Sequence, residues 1–235
     1  MFYTEITDGE ICILSPEESR HCINVLRHGK NDTVSVFNRS GKVYTAKISD
    51  ASPQKCVLEI TGERNVPKRY GFLHVAIAPV KNIDRFEWFV EKAVEIGVEE
   101  ITPLLCKHSE RRVLKFERLE KIVISAMKQS LNLNFPKINP LTRFDDFIQI
   151  NFDGQKFIAH CEEKTVNFAD AISSQKSIQI LIGPEGDFSK QEIENAISHR
   201  YIPVSLGNSR LRTETAGMVS CAVAAQSFYK QEIIT

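Results

Sequence analysis

The spacing of apolar positions changes near residue 70. Before it, short alternating or β-branched runs, Ile11 to Leu14, Thr33 to Phe37, Lys42 to Ile48 and Lys55 to Thr61, are separated by turn-forming stretches such as Asn38-Arg39-Ser40-Gly41 and Ser49-Asp50-Ala51-Ser52-Pro53. These predict strands. One helix is predicted among them, over Pro16 to Arg27, because Ser15 can cap it and Pro16 suits the first helical position. Four or five strands with one helix suggest a closed or nearly closed β-barrel. Asn65 to Arg69 reads as a linker.

From Phe72 onward strand and helix patterns alternate. Strands are predicted over Leu73 to Ala78, Glu100 to Leu105, Lys156 to His160, Ser177 to Ile182 and Tyr201 to Leu206, with a weaker one near Lys137 to Pro140. Between Asp84 and Ile96, residues Phe86, Phe89, Val90, Ala93, Val94 and Ile96 fall on one helical face, and Gly97 ends the run. Helical periodicity recurs over Phe116 to Leu131, Phe168 to Ser173, Lys190 to Arg200 and Glu214 to Lys230. Such alternation predicts an α/β fold with a largely parallel sheet covered by helices. The division is then a β-rich domain over 1–67 and an α/β domain over 70–235.

Two strand-to-helix loops in the last quarter stand out. One follows Ile182 and reads Gly183-Pro184-Glu185-Gly186-Asp187-Phe188-Ser189; the other follows Leu206 and runs from Gly207 through Ser209, Arg210, Leu211 and Arg212 to Gly217. In each a glycine follows directly on the strand, where the chain must turn and a ligand can approach bare backbone. Ser189 with Glu192 forms a capping box, and Thr213 is the expected cap of the final helix. Loops at the carboxyl ends of parallel strands are the usual ligand sites of open α/β sheets. Ordinary strand-to-helix connections would carry the same glycine and capping signals. The final helix is small-sided nearly all round, from Ala216 and Gly217 to Ala225 and Ser227, which suits close packing on its own sheet and on a second subunit.

Composition narrows the class. The 235 residues suffice for one large domain or two small ones, and folding should bury roughly 70–75% of the chain surface. Six scattered cysteines, Cys12, Cys22, Cys56, Cys106, Cys161 and Cys221, form no C-x-x-C pair and no zinc spacing with histidine, so reduced thiols, no metal and a cytoplasmic location are expected. No leader pattern and no apolar run near ~20 residues is present, so no membrane is expected either. Thirty basic residues balance thirty acidic ones, which argues against a nonspecific nucleic-acid coat but leaves room for local basic patches. Arg20, His21, Arg27, His28 and Lys30 make one; Lys107 to Lys128, with seven Lys or Arg against three acids, makes another. Solvated faces are the competing explanation for both. There is no G-x-G-x-x-G after the first strand of the α/β region, no phosphate-binding G-x-x-x-x-G-K-[ST], no G-x-S-x-G and no H-E-x-x-H.

Leu181-Ile182-Gly183-Pro184-Glu185-Gly186, Leu206-Gly207 and Leu211-Arg212-Thr213-Glu214-Thr215-Ala216 closely resemble the two cofactor loops of the SPOUT-class methyltransferases of the ribosomal RNA small subunit methyltransferase E family, which modify N3 of a uridine in 16S ribosomal RNA. Glu87 to Val98 resembles that family's first long helix, and His21 with Val25-Leu26-Arg27 resembles a signature of its PUA-like RNA-binding barrel. Three places differ. The family usually has glycine where this chain has Asp187, arginine at Ser209, and Glu-Gln-Ser-Gly-Arg over Lys128 to Asn132. The resemblance implies a carboxyl-terminal trefoil knot, an exception to the rule that chains do not thread themselves. It also implies a homodimer, an RNA-binding first domain, for which the basic cluster supplies Arg20, His21, Arg27 and Lys30 as candidates, and S-adenosylmethionine bound by Ile182, Gly183, Pro184, Glu185, Gly186, Leu206, Gly207, Leu211, Arg212, Thr213, Glu214, Thr215 and Ala216.

Methylation at a uridine nitrogen requires the base to leave its pairing partner and to lose the N3 proton. Arg212 is the candidate for stabilising the negative charge that spreads to the uracil oxygens, and a salt bridge to Glu185 or Glu214 is its competing use. The sequence names no general base. The rival function is a noncatalytic RNA- or ribosome-binding protein that keeps the fold.

Overall fold

The computed structural model describes residues 1–4, 6–8, 10–67, 69–161, 165–173 and 177–234, with backbone alone at 6–8 and 230–234. Lys68 of the expected linker lies outside the described residues. The chain forms two compact units, Met1–Lys68 with Met127–Phe135, and Arg69–Ala126 with Pro136–Thr235. The stretch 127–135, which periodicity assigned to the second domain, thus belongs to the first unit. Lys128 Nζ meets Glu18 Oε1 at 2.6 Å, and the Arg39 guanidinium stacks 4.4 Å from the Phe135 ring centre.

The first unit is a six-stranded sheet of β1 (Phe2–Tyr3), β2 (Ile6–Asp8), β3 (Ile11–Ile13), β4 (Thr33–Phe37), β5 (Lys42–Asp50) and β6 (Val57–Asn65), in the order β1-β4-β5-β6-β3-β2. Strands β1 and β2 are too short to carry a readable alternation. Among the described residues no backbone ladder closes the ring, but Thr4 Oγ1, just after β1, donates to the Ile13 carbonyl of β3 at 2.9 Å. The expected helix over Pro16 to Arg27 divides into α1 (Pro16–Arg20), capped by Ser15, and a π-helical turn over His21–Val25. Such turns are rare and recur at functional sites.

The second unit is an eight-stranded parallel sheet of β7 (Phe72–Ile77), β8 (Glu100–Leu105), β9 (Lys137–Ile138), β10 (Thr142–Arg143), β11 (Gln155–Ala159), β12 (Val166–Asn167), β13 (Ser177–Ile182) and β14 (Ile202–Ser205). The order is β10-β8-β7-β13-β11-β14-β12, with β9 beside β8. Helices α2 (Ile83–Ile96), α3 (Phe116–Ser130, its last turn from Met127 counted with the first unit), α4 (Phe144–Phe147), α5 (Phe168–Ala171), α6 (Lys190–Ser198) and α7 (Thr213–Ile234) follow the strands. Gly97 ends α2 in the left-handed conformation, as its position predicts. Strand β13 inserts between β7 and β11, so the chain reverses its direction of travel across the sheet there. Gly217 lets α7 lie hard against the sheet, since a Cβ there would fall 2.6 Å from Phe89 and 2.8 Å from Ile77. Overpacking of that kind costs about 1–3 kcal/mol.

A buried polar chain crosses the sheet. Tyr201 donates to Gln179 Oε1 at 2.6 Å, which orients the amide so that Gln179 Nε2 faces His74 Nδ1 at 3.1 Å. His74 Nδ1 is therefore the acceptor, and Nε2–H donates to Thr102 Oγ1 at 2.7 Å. Asn139 closes the chain by donating to Thr102 and to Glu100. Each member is satisfied only while His74 is neutral, and burial pushes its pKa down to about 4.

The folded chain thus disfavours a proton that the unfolded chain accepts below pH 6.5. His74 contributes stability above that pH and loses it as pH falls towards about 4. The gap in unfolding free energy between wild type and His74→Gln should narrow over this window by about 1 kcal/mol per pH unit, read by urea titration. A gap independent of pH would mean that His74 titrates alike in both states.

Candidate functional site

Register levels three strand ends. Ala159 of β11 lies opposite Ile182 of β13 on one side and Val204 of β14 on the other, so all three strands hand over to loops at one height. The loops enclose a cavity of about 730 Å³. Its walls include Ile182, Gly183, Pro184, Glu185 and Gly186 from the first loop, and Leu206, Gly207, Leu211, Arg212, Thr213 and Ala216 from the second. Eleven of the thirteen cofactor residues expected from sequence therefore meet in one place. Glu214 and Thr215 are not in the lining; Glu214 turns to Arg85, 3.8 Å away.

Each loop has a local reason for its shape. Gly207 has φ +129°, a conformation that side chains resist, and the position of its missing Cβ opens onto free space. Gly183 is packed instead, with Phe188 3.1 Å from where a Cβ would stand. The Ser189–Glu192 capping box forms as predicted, and Glu192 Oε1 also accepts from the Lys107 amide at 2.8 Å. Thr213 corrects the expected cap. Ala216 N–H bonds to the Arg212 carbonyl, so Arg212 holds the cap position, while the Thr213 hydroxyl donates to the Gly183 carbonyl at 3.0 Å. That bond ties the second loop to the first.

Periodicity missed a third contributor, the loop after β11, which brings Ala159, His160, Cys161 and Thr165 to the cavity. It carries no glycine or capping signal, and its adjacency follows from a strand order that sequence spacing does not contain. Asp187 links it to the first loop. At φ +61° Asp187 occupies backbone that favours glycine, and its Oδ2 accepts from the Cys161 amide at 2.9 Å while Oδ1 accepts from the Phe188 amide at 2.8 Å. Leu131, the other non-glycine where the resembled family has glycine, also has a left-handed φ of +57°. Partial burial, followed by the neighbouring Asp187 carboxylate, holds the Cys161 thiol above its ordinary pKa, so it is a poor nucleophile.

Arg212 is exposed, and among the described residues it has no ion pair. Both competing partners are engaged elsewhere: Glu185 Oε1 accepts from the Lys81 amide at 3.0 Å, and Glu214 faces Arg85. Arg210 joins Arg212 in the lining as a second cation. Among the described residues no cluster of histidine, cysteine and carboxylates could hold a metal, and no helix is long and apolar enough to cross a membrane.

In the first unit Arg20, Arg27 and Lys30 are exposed around the π-helical turn, with Val25 and Leu26 exposed between them. His21 and His28 are half-buried, their rings edge-on to Phe2. In the second basic stretch, Arg118 is bound to Glu87 and Lys128 to Glu18. Lys107, Arg112 and Lys115 remain exposed.

A family model for an RNA methyltransferase domain matches residues 67–225, and one for an RNA methyltransferase PUA domain matches 14–61. The chain is 31% identical to ribosomal RNA small subunit methyltransferase E of Buchnera aphidicola, over 94% of this chain and 89% of that protein. The crystal structure of a probable rRNA-methyltransferase from Porphyromonas gingivalis superposes with a TM-score of 0.90 at 37% identity, covering 99% of this chain and 98% of that one. The Neisseria gonorrhoeae ribosomal RNA small subunit methyltransferase E, bound to S-adenosyl methionine, gives 0.82 at 27% identity over 94% of each chain. With its amino-terminal PUA match, its parallel sheet and its paired carboxyl-terminal loops, the chain belongs to the ribosomal RNA small subunit methyltransferase E family.

Proposed function

We propose that the protein transfers a methyl group from S-adenosylmethionine to N3 of one uridine in 16S ribosomal RNA, as a cytoplasmic homodimer whose carboxyl-terminal chain is threaded in a trefoil knot. The observation that carries the reading is the cavity at the level ends of β13, β11 and β14. Its volume of about 730 Å³ lies within the range of small-molecule sites, about 300–1,000 Å³. Ile182, Leu206, Leu211 and Ala216 offer apolar walls, and the glycines Gly186 and Gly207 offer backbone polar atoms with no side chain of their own. These residues suit an adenosyl group with a charged tail. S-adenosylmethionine held there supplies a methyl group already activated by its sulfonium.

The residues then have to hold the target base in line and stabilise charge. The Thr213–Gly183 bond fixes the two loops against each other, and Asp187 fixes the third. Arg212 stands at the positive end of the α7 dipole with a guanidinium that has no ion pair among the described residues, suited to the oxygens of a uracil losing its N3 proton. Arg20, Arg27 and Lys30 supply a phosphate-contacting face on the first unit, with His21 at its inner margin. The small residues of α7 serve both its own sheet and the partner subunit. The departures from the family pattern that favour the noncatalytic alternative are Ser209 and, in the first loop, Asp187. That residue keeps the backbone conformation of a glycine and adds a bond to Cys161, so the turn survives the substitution.

Three outcomes are expected. Gly207→Val should fold, by circular dichroism, yet lose calorimetric binding of S-adenosylmethionine by at least about tenfold, because a β-branched residue resists φ +129° and would occupy the open space. Intact affinity would remove the second loop from the site. Arg212→Ala should lower the single-turnover methyl-transfer rate by about 10²–10³ with cofactor affinity little changed. An unchanged rate would leave Arg212 without a catalytic part. Arg20→Ala/Arg27→Ala should weaken RNA binding and flatten its salt dependence by about two counterions while cofactor affinity holds. Identical slopes for that variant and wild type would make the cluster a solvated face only.

A further inference from the structure

The segment joining β8 to α3 carries Lys107, Arg111, Arg112 and Lys115, and it is built into the wall of the cavity's first loop. Lys107 N–H donates to Glu192 Oε1 at 2.8 Å, and His108 Nδ1 donates to the Asp187 carbonyl at 3.0 Å. Arg111 Nε donates to the Val80 carbonyl at 3.1 Å and its Nη2 to the Lys81 carbonyl. Lys81 N–H in turn holds Glu185 Oε1. The Asp187 carbonyl is thus bonded directly to His108 of this segment, and the Glu185 carboxylate indirectly, through Lys81, whose carbonyl Arg111 holds. Those bonds leave the side chains of Lys81, Lys107 and Arg112 facing outward.

A second concavity, of about 320 Å³, opens at this place, lined by Lys81, Glu110, Arg111, Arg112 and Val113. Three cations face one carboxylate, and that carboxylate, Glu110, is engaged with Lys81 Nζ at 2.9 Å. Arg112 is exposed with no ion pair among the described residues, and Val113 is 74% exposed. Protein partners account for Arg111 and for the Lys81–Glu110 pair, but not for Arg112 or the exposed Val113. Like charges so close repel, and an exposed valine between them gains nothing by burial. An anion with an apolar part would satisfy both.

We propose that this concavity grips the phosphodiester backbone of the ribosomal RNA next to the nucleotide that enters the methylation cavity. The inference rests on the function proposed above and extends it to how the RNA is placed. Arg111 keeps its remaining guanidinium N–H groups free for a phosphate after bonding two carbonyls, so its plane is already oriented. Arg112 and Lys81 add point charges, and Val113 offers a contact for a ribose or base face. Glu110 holds Lys81 in place while RNA is absent and gives it up to a phosphate when RNA arrives. Since the segment is hydrogen-bonded to Asp187 directly and to Glu185 through Lys81, a strand held here is held in fixed relation to the cavity.

The test compares wild type, Lys81→Ala/Arg112→Ala and Glu110→Gln in full-length protein. RNA affinity is read by filter binding with deproteinised small-subunit ribosomal RNA, and methyl transfer with that RNA and with isolated small ribosomal subunits. Among the described residues the two side chains removed make no hydrogen bond or ion pair apart from the Lys81–Glu110 pair, and calorimetry with S-adenosylmethionine checks that the cavity is intact. The double variant should bind RNA about tenfold or more weakly and raise its KM to match, with kcat and cofactor affinity unchanged. Its salt slope should fall by about 0.7–0.9 for each lost phosphate contact. Glu110→Gln should bind more tightly than wild type, an effect that a purely structural pair would not give. If the double variant keeps the wild-type affinity and salt slope, the concavity does not hold RNA. If wild type transfers no methyl group to either substrate, the proposed function fails instead, and the binding slopes still decide the concavity.

Discussion

The site depends first on the parallel register of β13, β11 and β14. Backbone hydrogen bonds set Ala159 level with Ile182 and Val204, and only that alignment lets three loops from distant parts of the chain share one cavity. A slip of one residue in β11 would exchange its faces and carry Phe157 and Ile158 out of the layers that bury them. The register is held on both sides of the sheet. Gly217 admits α7 against Ile77 and Phe89, while Leu181, Phe188, Ile193 and Tyr201 pack with Phe144 and Phe147 on the opposite face. The polar chain from Tyr201 to Asn139 crosses the same strands and is satisfied in one arrangement only.

On that frame the loops are tied by few bonds, each doing a separate job. Thr213 to Gly183 joins the two loops, Asp187 to Cys161 joins the third, and Lys107 to Glu192 fixes the start of α6. Using Thr213 in this way removes it from helix capping and leaves the cap position to Arg212, which places that guanidinium at the cavity. Asp187 illustrates a similar exchange. A left-handed φ on a residue with a side chain costs about 1 kcal/mol, and two charge-assisted bonds from its carboxylate to backbone amides offset it. Leu131 holds a left-handed φ with its side chain exposed, and no comparable bond from that side chain is available to it.

Charge divides along the same lines. Overall neutrality hides a chain whose basic residues are used in two ways. Arg118 and Lys128 are held in ion pairs, whereas Arg20, Arg27, Lys30 and Arg112 are exposed outside any ion pair among the described residues, and Arg111 spends only part of its guanidinium on two carbonyls. The exposed group is the one with chemistry left to offer a polyanion, and no count along the sequence separates the two.

The sequence by itself determined the longer elements. Strands such as Glu100–Leu105 and Ser177–Ile182 and helices such as Phe116–Ser130 carry enough periodic apolar positions, with caps at Ser15 and Ser189 and a stop at Gly97, to be read within a residue or two. It also marked both glycine-led loops, because glycine directly after an apolar strand is a local constraint. Short elements were not legible: β1, β2, β10 and β12 span two or three residues, fewer than an alternation needs, and α4 has one turn. The π-helical turn after Arg20 was hidden because α and π periods differ too little over five residues. Tertiary structure alone decided which strand ends meet, that the loop after β11 joins the cavity, that Thr213 bonds Gly183 rather than its own helix, and that 127–135 belongs to the first unit. Each of these is a pairing between residues far apart in the chain, chosen by the geometry of burial and hydrogen bonding, and local propensity carries no record of it.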